Sequence, residues 1–72
     1  MRVLLKERGN HVAAMVSHIY FYEEESKLFL STGMADYTIQ MERHTANAYI
    51  RELFDREFLD FTMWEAEYKD HE

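Results

Sequence analysis

The sequence predicts a small α+β domain spanning residues 1–72. Its first part, residues 2–42, is expected to form a three- to four-stranded antiparallel β-meander. An amphipathic helix over residues 46–60 and a short second helix or helix extension over residues 62–70 should follow. Two observations carry this prediction. The apolar residues change their spacing from two to about 3.6 near Thr45, and the chain has no proline, repeat or linker that would mark a domain boundary.

The first two strands are predicted around a tight turn. Gly9 and Asn10 separate two apolar runs, and both residues tolerate positive φ, as two-residue hairpin turns require. Strand one is expected at residues 2–8 and strand two at residues 11–22. Strict alternation would place the following residues of strand two on one face: Val12, Ala14, Val16, His18, Tyr20 and Tyr22. Because the other face is also largely apolar, we expect a central strand or a face that a partner covers.

Two more strands complete the predicted meander. The polar residues 23–26 form a turn, and residues 27–32 form a short third strand that ends at Gly33. Apolar and polar residues then alternate over residues 36–42, which predicts a fourth strand.

The helix is predicted from capping and spacing. Thr45 is a suitable N-cap, and the helix should begin at Ala46. An apolar stripe at helical spacing is expected to face the sheet. Its members are Ile50, Leu53, Phe54, Phe58 and Phe61.

The last residues allow three alternatives. Thr62 and Glu65 form a capping-box pattern, which predicts a second helix. Trp64, Ala66 and Tyr68 alternate with polar residues, which would suit a strand. One continuous helix is the third alternative, and we favour helix over strand here.

Composition points to a small cytoplasmic protein. No export signal follows Met1, and no run approaches the roughly 20 apolar residues of a membrane-spanning helix. Cysteine is absent, so no disulfide can support the small core. Aromatic residues make up 15% of the chain, more than one small core readily buries, which predicts a homodimer.

Charge is distributed unevenly along the chain. The net charge is −6, and residues 52–72 contain eight acidic but only two basic residues. A chain of this kind lacks the broad basic surface that drives direct nucleic-acid binding. The rings of the predicted sheet could instead stack on nucleic-acid bases, but core or interface packing is the favoured role of these residues: Tyr20, Phe21, Tyr22, Phe29 and Tyr37.

No pattern of catalytic, metal-binding or cofactor-binding residues is recognisable. The four histidines match no ligand spacing, and there are no thiolates to join them. Nucleophile elbows and phosphate-binding glycine loops are also missing from the sequence. We therefore expect a protein that is not an enzyme and binds neither metal nor cofactor.

The acidic C-terminal segment is the predicted binding site. We expect it to dock on a basic surface of a protein partner, in particular a nucleic-acid-handling enzyme. In size and charge the chain resembles the small regulators of bacteriophages and mobile elements, including inhibitors of CRISPR and restriction enzymes. The alternative is a structural subunit that forms a homo-oligomer through its aromatic residues. The predicted partner-binding residues are Glu52, Asp55, Asp60, Trp64, Glu65, Glu67 and Tyr68.

Overall fold

The fold consists of six strands and one helix in the part of the chain that the computed structural model describes, residues 2–7, 10–62, 64 and 66–70. The elements are, in chain order, β1 (Arg2–Glu7), β2 (Asn10–Tyr22), β3 (Lys27–Thr32), β4 (Ala35–Gln40), α1 (Arg43–Arg56), β5 (Phe58–Asp60) and β6 (Ala66–Asp70). The strands form one sheet in the order β5-β1-β2-β3-β4-β6. The predicted α+β class is confirmed.

Strands β1 to β4 form the antiparallel meander that the sequence predicts. The first hairpin pairs Glu7 with Asn10, so Asn10 belongs to β2 and its prediction as a turn residue was wrong. Gly9 lies outside the described residues. The second turn contains Ser26 at φ 51°, a left-handed conformation that is uncommon for residues other than glycine. The third strand has its predicted bounds, and the fourth occupies residues 35–40.

A β-bulge divides β2 into two halves. The register of β2 against β3 shifts between Val16 and His18, which inserts one extra residue and exchanges the two faces of the strand. Val16 is consequently buried, whereas Tyr20 is 53% exposed. The single face predicted by strict alternation was wrong, because it joined inward residues before the bulge to outward residues after it.

Helix α1 begins earlier and ends earlier than predicted. Glu42, rather than Thr45, is the N-cap, and the helix ends at Arg56. Its inward residues Ala46, Ile50 and Leu53 follow a spacing that next reaches position 57, which is a glutamate. Because burying an unpaired carboxylate is costly, the helix ends before Glu57, which has a left-handed backbone conformation at φ 55°.

The predicted helix over residues 46–60 is therefore replaced at its end by strand β5. The carbonyl of Glu57 accepts a hydrogen bond from the Leu4 N–H at 2.9 Å, and β5 continues parallel to β1. The sheet is mixed, so the prediction of a purely antiparallel sheet was also wrong. Leu59 points into the core and is fully buried.

The predicted second helix over residues 62–70 is absent from the described part of this segment. Residues 66–70 form β6, which pairs antiparallel with β4. The strand alternative, which the alternation of apolar and polar residues suggested, is therefore confirmed for residues 66–70. The strand forms because its backbone pairs with β4 along the side of β4 that faces away from β3. Glu65 of the predicted capping box lies outside the described residues.

The core lies between α1 and the inner face of the sheet. Leu28, Leu30 and Ile39 contribute from the sheet and Leu53 from the helix. Phe54 is 60% exposed, contrary to its predicted place in the apolar stripe. The buried apolar cluster comprises Val3, Leu5, Val16, Leu28, Leu30, Ile39, Met41, Ala46, Leu53, Leu59 and Phe61.

Candidate protein-interaction surface

A groove runs between the flank of α1 and strand β5. It has a volume of about 470 Å³, and we call it the α1–β5 groove. On the helix its residues follow the i, i+3, i+4, i+7 spacing of one helical stripe, and on the strand they are two residues apart, as side chains on one face of a strand must be. The lining residues are Thr45, Ala48, Tyr49, Glu52, Phe58 and Asp60.

Tyr49 forms a fixed aromatic wall of the α1–β5 groove. Its hydroxyl accepts a hydrogen bond from the Trp64 indole N–H at 2.7 Å. Its ring centre lies 5.2 Å from that of Phe61 and 6.4 Å from that of Trp64. These contacts hold the ring from two sides, so the groove is shaped before any ligand arrives.

Asp60 places a charged carboxylate in the same groove. Hydrogen bonds from the Thr62 hydroxyl and from the Thr62 backbone N–H lower the pKa of Asp60, and the positive charge of Lys6 lowers it further. Both hydrogen bonds reach Oδ1, so Oδ2 is the oxygen that a ligand can approach. Asp60 is therefore ionised throughout the neutral range.

Basic residues surround the acidic residues on the outer flank of α1. A second depression, of about 380 Å³, is lined by Ala48, Arg51, Glu52, Asp55 and Arg56. Glu52 and Asp55 therefore share this flank of the helix with two arginines. Of these two depressions, the α1–β5 groove is the one that brings two acidic residues together without an arginine in its lining.

The structure separates the residues that the sequence grouped as one acidic docking segment. Glu52 and Asp60 meet in the α1–β5 groove. Glu67 is exposed on β6, at the opposite edge of the sheet from β5. Glu65 lies outside the described residues, and Tyr68 is placed by backbone register opposite Tyr37.

Trp64 has an internal role in the structure. It is half-buried against the core, and its indole N–H is donated to the Tyr49 hydroxyl. The sequence predicted Trp64 as a contact for a partner and did not single out Tyr49. The only sequence signal for Tyr49 is its place in the helical stripe of Thr45 and Glu52, which lies beside the predicted apolar stripe.

The outer face of the sheet, turned away from α1, carries four neighbouring rings. His18, Tyr20 and Tyr22 follow one another along the second half of β2, and Phe29 lies beside them on β3. Ring centres are 5.0 Å apart for Tyr20 and Tyr22, and 5.9 Å apart for His18 and Phe29. We call these four residues the ring cluster.

Metal ligands do not assemble among the described residues, where no group of three or more His, Cys, Asp or Glu side chains converges. His44 has one acidic neighbour, Glu42, with 3.5 Å between His44 Nδ1 and a Glu42 carboxylate oxygen. His11 and His18 are exposed, and His71 lies outside the described residues.

Within the described residues no helix is long and apolar enough to cross a membrane; α1 has 14 residues. No protein-family model matches this chain, and neither a curated protein nor a solved structure matches it significantly.

Proposed function

We propose that this chain is a small noncatalytic protein-binding regulator whose α1–β5 groove docks on a basic segment of a partner protein. The observation that carries the proposal is the meeting of Glu52 and Asp60 in one groove with the rings of Tyr49 and Phe58. Carboxylates attract a lysine or arginine side chain, and an aromatic wall adds cation–π attraction along its path.

The groove makes the expected contact stronger than an exposed ion pair. Exposed pairs contribute about 0.2–1 kcal/mol, whereas removing one partner of a desolvated interfacial pair costs about 2–5 kcal/mol. Glu52 and Asp60 are both partly exposed, and a partner side chain that packs against Tyr49 and Phe58 would remove further water from them. The net charge of −6 adds long-range attraction toward a basic partner and accelerates encounter.

The partner class we propose is a nucleic-acid-handling protein in the cytoplasm. Proteins that bind phosphate backbones present the lysine and arginine surfaces that this groove suits. Inhibition by occupying such a surface is the mode expected of a bacteriophage or mobile-element regulator that acts against CRISPR or restriction enzymes. The docking site is narrower than the whole acidic segment, because Asp55 does not line the groove and Glu67 lies at the far edge of the sheet.

Affinity capture with matched charge variants tests the proposal. The tagged chain, E52Q/D60N and E24Q/E25Q are each incubated with lysate of the source organism or its host. Both double variants remove two negative charges, but Glu24 and Glu25 lie in the exposed turn between β2 and β3, away from the groove. Bound proteins are identified by mass spectrometry, and their affinities are then measured with purified partner.

The proposal predicts that the chain and E24Q/E25Q capture the same nucleic-acid-handling protein. E52Q/D60N should bind it at least tenfold more weakly, which corresponds to about 1.4 kcal/mol. Binding should also weaken when added salt shortens the screening length from about 10 Å at 0.1 M to about 3 Å at 1 M. Equal losses in the two double variants would show that net charge alone matters, and the groove assignment would be wrong.

A structural role in a homo-oligomer is the second candidate function. The ring cluster on the outer face of the sheet favours it, since Tyr20 and Tyr22 are 53% and 44% exposed. Such a role does not compete with docking for residues, because none of the ring-cluster residues lines the α1–β5 groove.

A further inference from the structure

The outer face of β2 presents an unusual amount of apolar surface for a chain of this size. Met15, Tyr20 and Tyr22 are 59%, 53% and 44% exposed, and all three lie on the outward side of β2 once the bulge is taken into account. A large aromatic side chain can bury about 150–250 Å², so these residues together with His18 and Phe29 expose on the order of 400 Å². Patches of that size on soluble proteins are commonly interaction sites.

The four rings of the ring cluster pack against one another within a single copy of the chain. Tyr22 packs edge-on against Tyr20 at 5.0 Å and against Phe29 at 6.2 Å. His18 stacks against Tyr20 at 6.3 Å. Each ring restricts its neighbours, so little side-chain freedom is lost when the face is covered.

Charge on this face is nearly balanced, although the chain as a whole is strongly acidic. Lys69 lies opposite Asp36 in the pairing of β4 with β6, and Lys27 and Glu67 lie elsewhere on the same side of the sheet. Asp36 also accepts a hydrogen bond from the Ser31 hydroxyl at 2.7 Å. Arg2 lies opposite Met15 in the pairing of β1 with β2, on the same side of the sheet. Three bases and two acids therefore surround the apolar residues, so this face is nearly neutral, whereas two copies meeting through acidic surfaces would bring like charges together.

The size of this face suits a pair of identical chains. A stable interface buries about 800 Å² on each partner. The apolar centre supplies about half of that area, and the polar side chains around it on β3, β4 and β6 provide the rest. In a twofold dimer the same patch must complement itself. Here the apolar rings at the centre can pack against each other, and the surrounding charges of both signs can pair across the contact.

We propose that the outer face of β2, β3, β4 and β6 binds the same face of a second copy of this chain, with the ring cluster at the centre of the contact. Single-stranded nucleic acid is the less suitable occupant, because a stacking surface for bases needs a surrounding excess of positive charge. Here Asp36 and Glu67 offset two of the three bases, Arg2, Lys27 and Lys69, which leaves an excess of only one positive charge. The dimer would leave the α1–β5 groove of each copy open, so one assembly could engage two basic segments.

Sedimentation equilibrium with a matched pair of variants tests the dimer. Y20K puts a charge into the ring cluster, and F54K puts the same charge on α1, where Phe54 is 60% exposed. Both sites are on the surface, and circular dichroism checks that both variants keep their secondary structure. The chain, Y20K and F54K are compared from about 1 to 100 μM, because dimer formation depends on concentration.

The chain and F54K should reach twice the 8.8 kDa mass of one copy, and Y20K should stay at the mass of one copy. Because the contact is mainly apolar, raising the salt to 1 M should not dissociate the dimer, which separates it from groove docking. A single-copy mass for the chain at 100 μM would overturn the proposal. A Y20K variant that dimerises as well as F54K would overturn it too, since the contact would then lie elsewhere.

A second measurement keeps the proposal testable if Y20K fails to fold. Oxidative footprinting of the unmodified chain reports the exposure of Met15, with Met34, 73% exposed in the turn after β3, as the internal control. Protection of Met15 but not of Met34 as the concentration rises is the expected result. Equal oxidation of Met15 at all concentrations would contradict the dimer, and added oligonucleotide that alone protects Met15 would assign the face to nucleic acid instead.

Discussion

Truncation of Leu59 is the perturbation that most sharply separates this fold from a continuous helix. Leu59 is the central residue of β5 and is 0% exposed. Replacing a buried leucine by alanine costs about 2–5 kcal/mol, with the larger values where the cavity cannot collapse. Leu59 lies between α1 and the parallel partner strand β1, and both hold their positions through other contacts, so we expect a value in the upper half of this range.

The expected cost of L59A is large relative to the total free energy of unfolding. A chain of this length has a free energy of unfolding of roughly 4–11 kcal/mol, from about 0.05–0.15 kcal/mol per residue. L59A should therefore lose at least about a third of its free energy of unfolding, and the urea midpoint should fall by about 2 M or more if the denaturant slope is about 1–1.5 kcal/mol per M. Urea unfolding at fixed protein concentration, followed by circular dichroism, measures it.

Phe54 provides the matched control. The apolar stripe of the sequence put Phe54 in the core, where truncation to alanine would cost about 3–5 kcal/mol. The structure leaves it 60% exposed, so F54A should change the stability by less than about 1 kcal/mol. An F54A variant that is destabilised as much as L59A would refute the placement of α1 and β5.

Three further predictions concern the turns of the fold. E57G should raise the urea midpoint, since Glu57 has φ 55° and relief of a left-handed residue is worth up to about 1 kcal/mol. T32V should lower the thermal midpoint and cost about 1–3 kcal/mol, because the buried Thr32 hydroxyl donates to the Ala35 carbonyl at 2.9 Å and accepts from the Ala35 N–H at 3.0 Å. T62V should raise the pKa of Asp60, which its hydroxyl hydrogen bond lowers. A lowered carboxyl pKa stabilises the folded protein at pH values above the unfolded pKa of about 3.9, and this stabilisation is lost as the pH falls through the folded pKa. T62V, in which the pKa of Asp60 is lowered less, should therefore lose less stability on acidification than the unmodified chain. Carboxyl NMR titration and acid unfolding check this prediction.

The meander was predictable because its signals are local. Gly9, a polar turn and Gly33 separate runs of alternating residues, and each run forms a strand. Asn10 was predicted to lie in the first turn but is the first residue of β2. The bulge in β2 was not predictable in the same way. Nothing in the sequence near Ser17 marks it, and it follows from pairing with β3, which decides which residues of β2 can face the core.

The structure of the C-terminal third depends on contacts between distant parts of the chain, so local sequence patterns did not predict it. Residues 58–60 continue a helical apolar pattern, but they gain hydrogen bonds from β1, more than 50 residues earlier in the sequence. Glu57 was the available clue, since it interrupts the apolar stripe at a position that a longer helix would bury. Residues 66–70 had the alternation of a strand, and the partner that stabilises it is β4.

The sequence predicted the acidic composition of the candidate site but not which residues form it. An excess of acidic residues near the C-terminus is evident from the sequence, but their grouping is not. Pairing of β5 with one edge of the sheet and of β6 with the other carries Asp60 and Glu67 to opposite sides. The aromatic wall of the groove arises from Tyr49, whose position depends on its hydrogen bond with Trp64.

NMR mapping of a basic ligand tests the central claim of groove docking most directly. The ¹⁵N-labelled chain is titrated with an arginine-rich peptide at low salt, and the backbone shifts are followed residue by residue. Docking in the α1–β5 groove predicts saturable shifts at Ala48, Glu52 and Asp60, and E52Q/D60N should abolish them. Shifts of equal size at Glu24 and Glu25, or shifts that persist in E52Q/D60N, would show attraction to net charge and would contradict the groove as the docking site.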